Sequence, residues 1–149
     1  MRVMAVDPGS KRVGLALSDP TGTIAQALPT VPAEPAATLA SRLAEVAQAQ
    51  EARRIVVGLP LRLDGTHGPE AAAARRLAHG LRQASHLPVE MVDERLTTAE
   101  AERSLIARGM RRAKRRASID GVAATLLLQG HLDSKRAEAG RAQGALNQS

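Results

Sequence analysis

The chain has 149 residues, enough for one domain around one core, with 44% hydrophobic and 24% charged residues and a formal net charge of +6. It has no cysteine, which excludes disulfides, cysteine-ligated zinc and thiol nucleophiles. It also has no Phe, Tyr or Trp, which excludes reading single strands by stacking bases on aromatic side chains.

The charge is unevenly placed. Residues 1–100 hold 11 Lys/Arg and 11 Asp/Glu, whereas 101–149 hold 10 and 4. Within the last third, "RSLIARGMRRAKRR" (103–116) carries seven basic residues and no acidic one. Such a run is either a solvated loop or a grip on a polyanion, whose phosphates release counterions when neutralised. The apolar run before Asp7 is too short for a signal-peptide core, and no segment approaches the ~18 apolar residues of a membrane span. A cytoplasmic protein with no membrane partner is expected.

Taken in chain order, Arg2–Val6 and Val13–Ser18 read as strands joined by a Pro8-Gly9-Ser10-Lys11 turn, an antiparallel hairpin. A third strand is expected near 23–31, after "DPTG". The spacing of Leu39, Leu43, Val46 and Ala47 predicts a helix over 35–50. "RRIVVGLP" is a continuous apolar strand of the kind covered on both faces. The loop "LRLDGTHG" leads to Pro69, a good first helical residue, and a helix to about Ala84. "LPVEMVDE" is the fifth strand. Thr97 and Glu100 form a capping box for a helix ending near Gly109, and Ser118 can cap a last helix, "IDGVAATLLLQGHLD". Residues 135–149 lack apolar periodicity and read as a disordered tail behind a domain over 1–134. An antiparallel meander followed by alternating helices and strands predicts an α/β fold: a mixed five-stranded sheet with helices on both faces.

Three acids stand out. Asp7 ends the first strand, kept extended by Pro8, and is either turn chemistry or site chemistry. Glu94 closes the fifth strand just before a capped helix, where a helix dipole alone would also favour an acid. Asp120 begins a helix that is apolar nearly all round; such a helix is buried, and a buried carboxylate is costly unless paired or metal-bound. First-turn dipole stabilisation is the alternative. Two strand ends and a buried helix start can converge on one sheet edge. Clustered carboxylates repel one another, so such a set is stable mainly around a divalent cation, and oxygen-only ligands favour Mg²⁺ or Mn²⁺. Two such ions, roughly 3.5–4 Å apart, activate a water and stabilise the leaving oxygen of a phosphodiester. With the basic segment just ahead of Asp120, the combination reads as a nuclease. Its candidate nucleic-acid contacts are Lys11 and Arg12 in the first turn, Arg95 beside Glu94, and Arg108, Arg111, Arg112, Lys114, Arg115 and Arg116. His67 lies in the loop before Pro69, and His79, His86 and His131 show no ligand spacing.

"VDPGSKRVGLALSD", "VVGLPLRLDGTHGPEA", "VDERLTTAEAERSL" and "KRRASIDGVAATLLLQGHLD" resemble, in order and spacing, the YqgF/RuvX family of pre-16S ribosomal RNA nucleases and Holliday-junction-resolvase-like proteins. The resemblance runs from about Arg2 to Asp133. It implies a ribonuclease-H-like fold, with Asp7, Glu94 and Asp120 as metal ligands and catalytic residues. This chain departs from the family at Arg62, where Asn is common, and at Val92, where an aromatic is common. The resemblance implies trimming of the 5′ end of precursor 16S rRNA, with resolution of four-way DNA junctions as the alternative. Junction cleavage would need a homodimer, and the sequence is compatible with monomer or dimer. A binding module without catalysis is a further reading, which three retained acids oppose. A nucleotide-binding relative of the actin and sugar-kinase fold is another, but the chain lacks a second lobe.

Overall fold

The computed structural model describes residues 1–60, 66–93 and 119–147. Five strands form one sheet: β1 (Arg2–Asp7), β2 (Arg12–Ser18), β3 (Ala25–Pro32), β4 (Ala52–Leu59) and β5 (Val89–Asp93). Three helices pack on it: α1 (Ala36–Ala49), α2 (Pro69–Ser85) and α3 (Ile119–Asn147). The sheet order is β3-β2-β1-β4-β5. β1 pairs antiparallel with β2 and parallel with β4, and β5 pairs parallel with β4. This is the mixed five-stranded sheet expected from the sequence. The expected helix at 97–109 and the Ser118 cap lie outside the described residues.

Side-chain alternation divides the core into two layers. Met4 and Val6 of β1, with Val13, Leu15, Leu17, Ile55 and Val57, face α1 and α2, which contribute Leu39, Leu43, Ala74, Ala78 and Leu81. Val3, Ala5, Ala16, Ala25 and Val56 face α3, which contributes Ala124, Leu127, Leu128 and Leu132. Three alanines from three adjacent strands leave room for α3 to lie close to the sheet. Large aliphatic residues on the other face fill the wider gap beneath two helices. With no Phe, Tyr or Trp in the chain, the two apolar layers are built from aliphatic side chains and Met4.

The β2–β3 turn is held by one carboxylate. Asp19 Oδ1 accepts from the backbone N–H of Thr23 (2.7 Å) and Ile24 (2.8 Å), and Oδ2 accepts from the N–H (3.1 Å) and hydroxyl of Thr21. Donation from Ile24 N–H, then the Thr21 hydroxyl and Thr23 N–H, holds the Asp19 carboxyl far below the usual carboxylate range.

The chain leaves α1 through Glu51 and α2 through His86, both left-handed (φ 59°) at a helix end where glycine is the usual residue. Where composition suggests a disordered tail over 135–149, α3 continues to Asn147. Its residues 133–144 are exposed, and Lys135 pairs with Glu138, and Arg136 with Asp133, along the helix. Among the described residues no helix is long and apolar enough to cross a membrane.

His131 is buried on α3. Desolvation pushes its imidazole below the ordinary 6.5, opposed by Glu90 and reinforced by Lys135 and Arg54. The unfolded chain therefore takes up a proton at a pH where the folded chain does not, and stability falls as pH drops below about 6.5. Thermal melts of wild type and His131→Gln between pH 8 and pH 5 should diverge below that point, with the wild type losing more. Parallel curves would mean that His131 titrates alike in both states.

Candidate active site

Because β1, β4 and β5 run parallel, their C-terminal ends meet at one edge of the sheet, at Asp7, Leu59 and Asp93. Ligands of such sheets bind beyond the carboxyl ends of the strands, where the direction of connection changes. Here the change falls at β1, antiparallel to one neighbour and parallel to the other.

Asp7 is the last residue of β1, half-buried and opposite Gly14 of β2. Val3 and Ala5 face α3, so the two-residue period gives Asp7 the same face. The turn that follows is tight. A Cβ on Gly9 would lie 2.3 Å from the backbone oxygen of Arg12, so only glycine lets the chain close there. The far side of the turn is tied down by Ala33 N–H donating to the Lys11 carbonyl (2.9 Å). Gly9→Ala should therefore open the turn at a cost of about 1–3 kcal/mol and slow any chemistry at Asp7. Urea unfolding checks the first effect, and unchanged stability would show that the turn absorbs the methyl freely.

Asp120 lies in the first turn of α3, and its height can be worked out from the other end of the helix. Gln129 is level with Val3: its side chain bonds the Ala25 N–H, Ala25 pairs with Ser18, and the Ser18 hydroxyl accepts from Val3 N–H (2.8 Å). From Gln129 back to Asp120 is nine residues of helix, and from Val3 to Asp7 is four residues of strand. Both rise about 13 Å. A helix running along β1 would therefore bring the backbone of Asp120 to the same sheet edge as Asp7, on the face that α3 covers.

Glu94, Arg95 and the basic residues Arg108, Arg111, Arg112, Lys114, Arg115 and Arg116 lie outside the described residues. Glu94 follows Asp93, the last residue of β5. Lys11 and Arg12 are exposed at the Asp7 edge, with the Arg12 guanidinium donating to Thr30 Oγ1 at 3.5 Å. His67, exposed before α2, meets the Arg75 guanidinium. Among the described residues no three His, Cys, Asp or Glu side chains cluster closely enough to hold a metal. The candidate donor set is carboxylate oxygen only, which suits a hard divalent cation such as Mg²⁺ or Mn²⁺. A cleft lined by Arg2, Glu45, Glu51, Arg53 and His86 opens at the opposite edge from Asp7, by the starts of β1 and β4. Sequence reasoning missed Gln129, a fully buried polar residue on the sheet-facing side of α3.

The family model described as "RuvX: Holliday junction resolvase" matches residues 1–134. A protein of Pelotomaculum thermopropionicum (strain DSM 13744 / JCM 10971 / SI), named "Putative pre-16S rRNA nuclease", is 46% identical over 144 residues, covering 94% of each chain. One of the same name from Chloroflexus aggregans (strain MD-66 / DSM 9485) is 42% identical over 134 residues, 90% of this chain and 94% of that one. Among solved structures, "T. thermophilus RuvC in complex with Holliday junction substrate" superposes with a TM-score of 0.66 at 17% identity, over 93% of this chain and 96% of that one. The sheet and its flanking helices are therefore the RuvC-like, ribonuclease-H-like fold. By the extent of the family match and the identity to these relatives, the chain belongs to the RuvX family.

Proposed function

We propose that this chain is a divalent-metal-dependent nuclease hydrolysing phosphodiester bonds at the edge where β1, β4 and β5 end, with the 5′ end of precursor 16S rRNA as substrate. What supports the reading most is that Asp7 shares the face of the sheet covered by α3, the helix that carries Asp120 near its start. Val92 of β5 packs in the α3 layer, and the next residue of that parity in the chain is Glu94. The three acids would hold Mg²⁺ or Mn²⁺, which supplies activation of the attacking water and stabilisation of the leaving oxygen. Asp7 is kept extended by Pro8 and backed by the glycine-dependent turn, so its backbone is set before any ligand arrives. Lys11 and Arg12, exposed at that edge, suit the backbone of a nucleic acid, and the basic run 103–116 suits the same partner.

The names of the relatives favour RNA, whereas the description of the family model favours four-way DNA. Cleavage of a precursor 16S rRNA 5′ fragment and of a four-way DNA junction, assayed side by side with Mg²⁺ or Mn²⁺, tests the choice. Metal-dependent cleavage of the RNA alone is the expected result. Preference for the junction would transfer the reading to DNA, and cleavage of neither by active-site-intact protein would remove catalysis from it.

A further inference from the structure

A buried side chain on α3, far from the candidate site, bonds the end of the β2–β3 turn. Gln129 is fully buried, and its carboxamide is used on both sides. Oε1 accepts from Ala25 N–H (3.0 Å), and Nε2 donates to the Thr23 carbonyl (3.0 Å) and to Asp133 Oδ1 (3.0 Å). Thr23 and Ala25 flank the end of the turn that Asp19 organises, and Ser18 links that turn to the start of β1. Hydrogen bonds fix distance and direction, whereas the Leu127, Leu128 and Leu132 contacts against Val3, Ala5, Ala16 and Ala25 tolerate sliding. We infer that Gln129 is a positioning residue for the metal site: its clasp on Thr23 and Ala25 sets the axial register of α3 against the sheet, and so the level of Asp120 relative to Asp7. The inference rests on the reading of Asp7 and Asp120 as metal ligands. A helix slipped by one residue would displace Asp120 by about 1.5 Å along its axis and turn it by roughly 100°.

Gln129→Leu keeps the size of the side chain and removes the clasp. Gln129→Glu keeps an acceptor for Ala25 N–H but cannot donate to the Thr23 carbonyl. Leu43→Ala, beneath α1 on the other face of the sheet, serves as a control that loosens the fold without touching α3. Mn²⁺ binding to each full-length protein, measured by titration calorimetry at a temperature where far-UV circular dichroism shows it folded, is the readout. Both Gln129 variants should bind Mn²⁺ about tenfold more weakly or worse, while Leu43→Ala binds like wild type. Faster amide exchange at Ala25 should accompany the loss. Full Mn²⁺ affinity in folded Gln129 variants, alongside loss of binding in Asp7→Asn, would overturn the inference and leave the metal reading standing. A wild type that binds no Mn²⁺ would overturn both.

Discussion

Asp7→Asn should lower metal-dependent cleavage by about a thousandfold or more while leaving the fold intact. Several kcal/mol of transition-state stabilisation depend on the bound cation, and each 1.4 kcal/mol is worth about tenfold in rate. Asn is the same size as Asp and accepts the same extended backbone before Pro8, so the apolar run Val3–Val6 keeps its packing. Without metal, the variant should melt at the same temperature as wild type or higher, because a half-buried negative charge is gone. Added Mg²⁺ or Mn²⁺ should then raise the melting temperature of wild type and not of the variant, since only the former gains binding energy in the folded state. Single-turnover cleavage of the precursor RNA fragment checks the first part and thermal melts the second. Cleavage within tenfold of wild type would reduce Asp7 to a turn residue.

Leu128→Ala should cost about 2–5 kcal/mol, a large share of the roughly 5–15 kcal/mol that holds a domain of this kind together. Leu128 is fully buried in the layer between α3 and the sheet. Its neighbours there include Ala5, Ala16, Ala25 and Ala124, which cannot reach into a void. Neither are there aromatic rings anywhere in the chain to swing into the space. The cavity therefore persists, and the helix cannot close it by moving inward while the Gln129 clasp holds. Urea unfolding gives the value directly. A loss under about 1 kcal/mol would show that α3 resettles on the sheet.

The hairpin and α1 were legible because their apolar residues keep a strand or helix period, and β4 and α3 because their apolar runs are continuous. "VMAV" and "VGLALS" on either side of a Pro-Gly turn make the hairpin, and Leu39, Leu43 and Ala47 make the buried stripe of α1. The place of Asp7 was legible too, as an acid ending an apolar strand before proline, a pattern that serves a turn or a site. The left-handed exits at Glu51 and His86 carried no signal, since neither is a glycine or asparagine. The role of Gln129 was hidden too, because its partners Ala25 and Thr23 lie 104 and 106 residues away and are backbone groups with no sequence of their own. Beyond Asp133 the misleading feature was composition. A stretch without an apolar face buries nothing, yet its Ala, Lys, Arg and Glu residues are good helix formers, and α3 continues through them. Glu94 and the basic run 103–116, which the sequence reading weighs heavily, lie outside the described residues and rest on that reading.

A strand end and a helix start 113 residues apart are proposed to serve one metal site. Mn²⁺ added below stoichiometry to isotope-labelled protein tests it most directly, through paramagnetic broadening of backbone amide signals. Broadening should be strongest around Asp7 and Gly9, at Gly58 and Leu59, and in the first turn of α3, and weakest at Thr23, Ala25 and His86 on the opposite edge. Broadening centred on the opposite edge, or on Asp7 without the start of α3, would contradict the account.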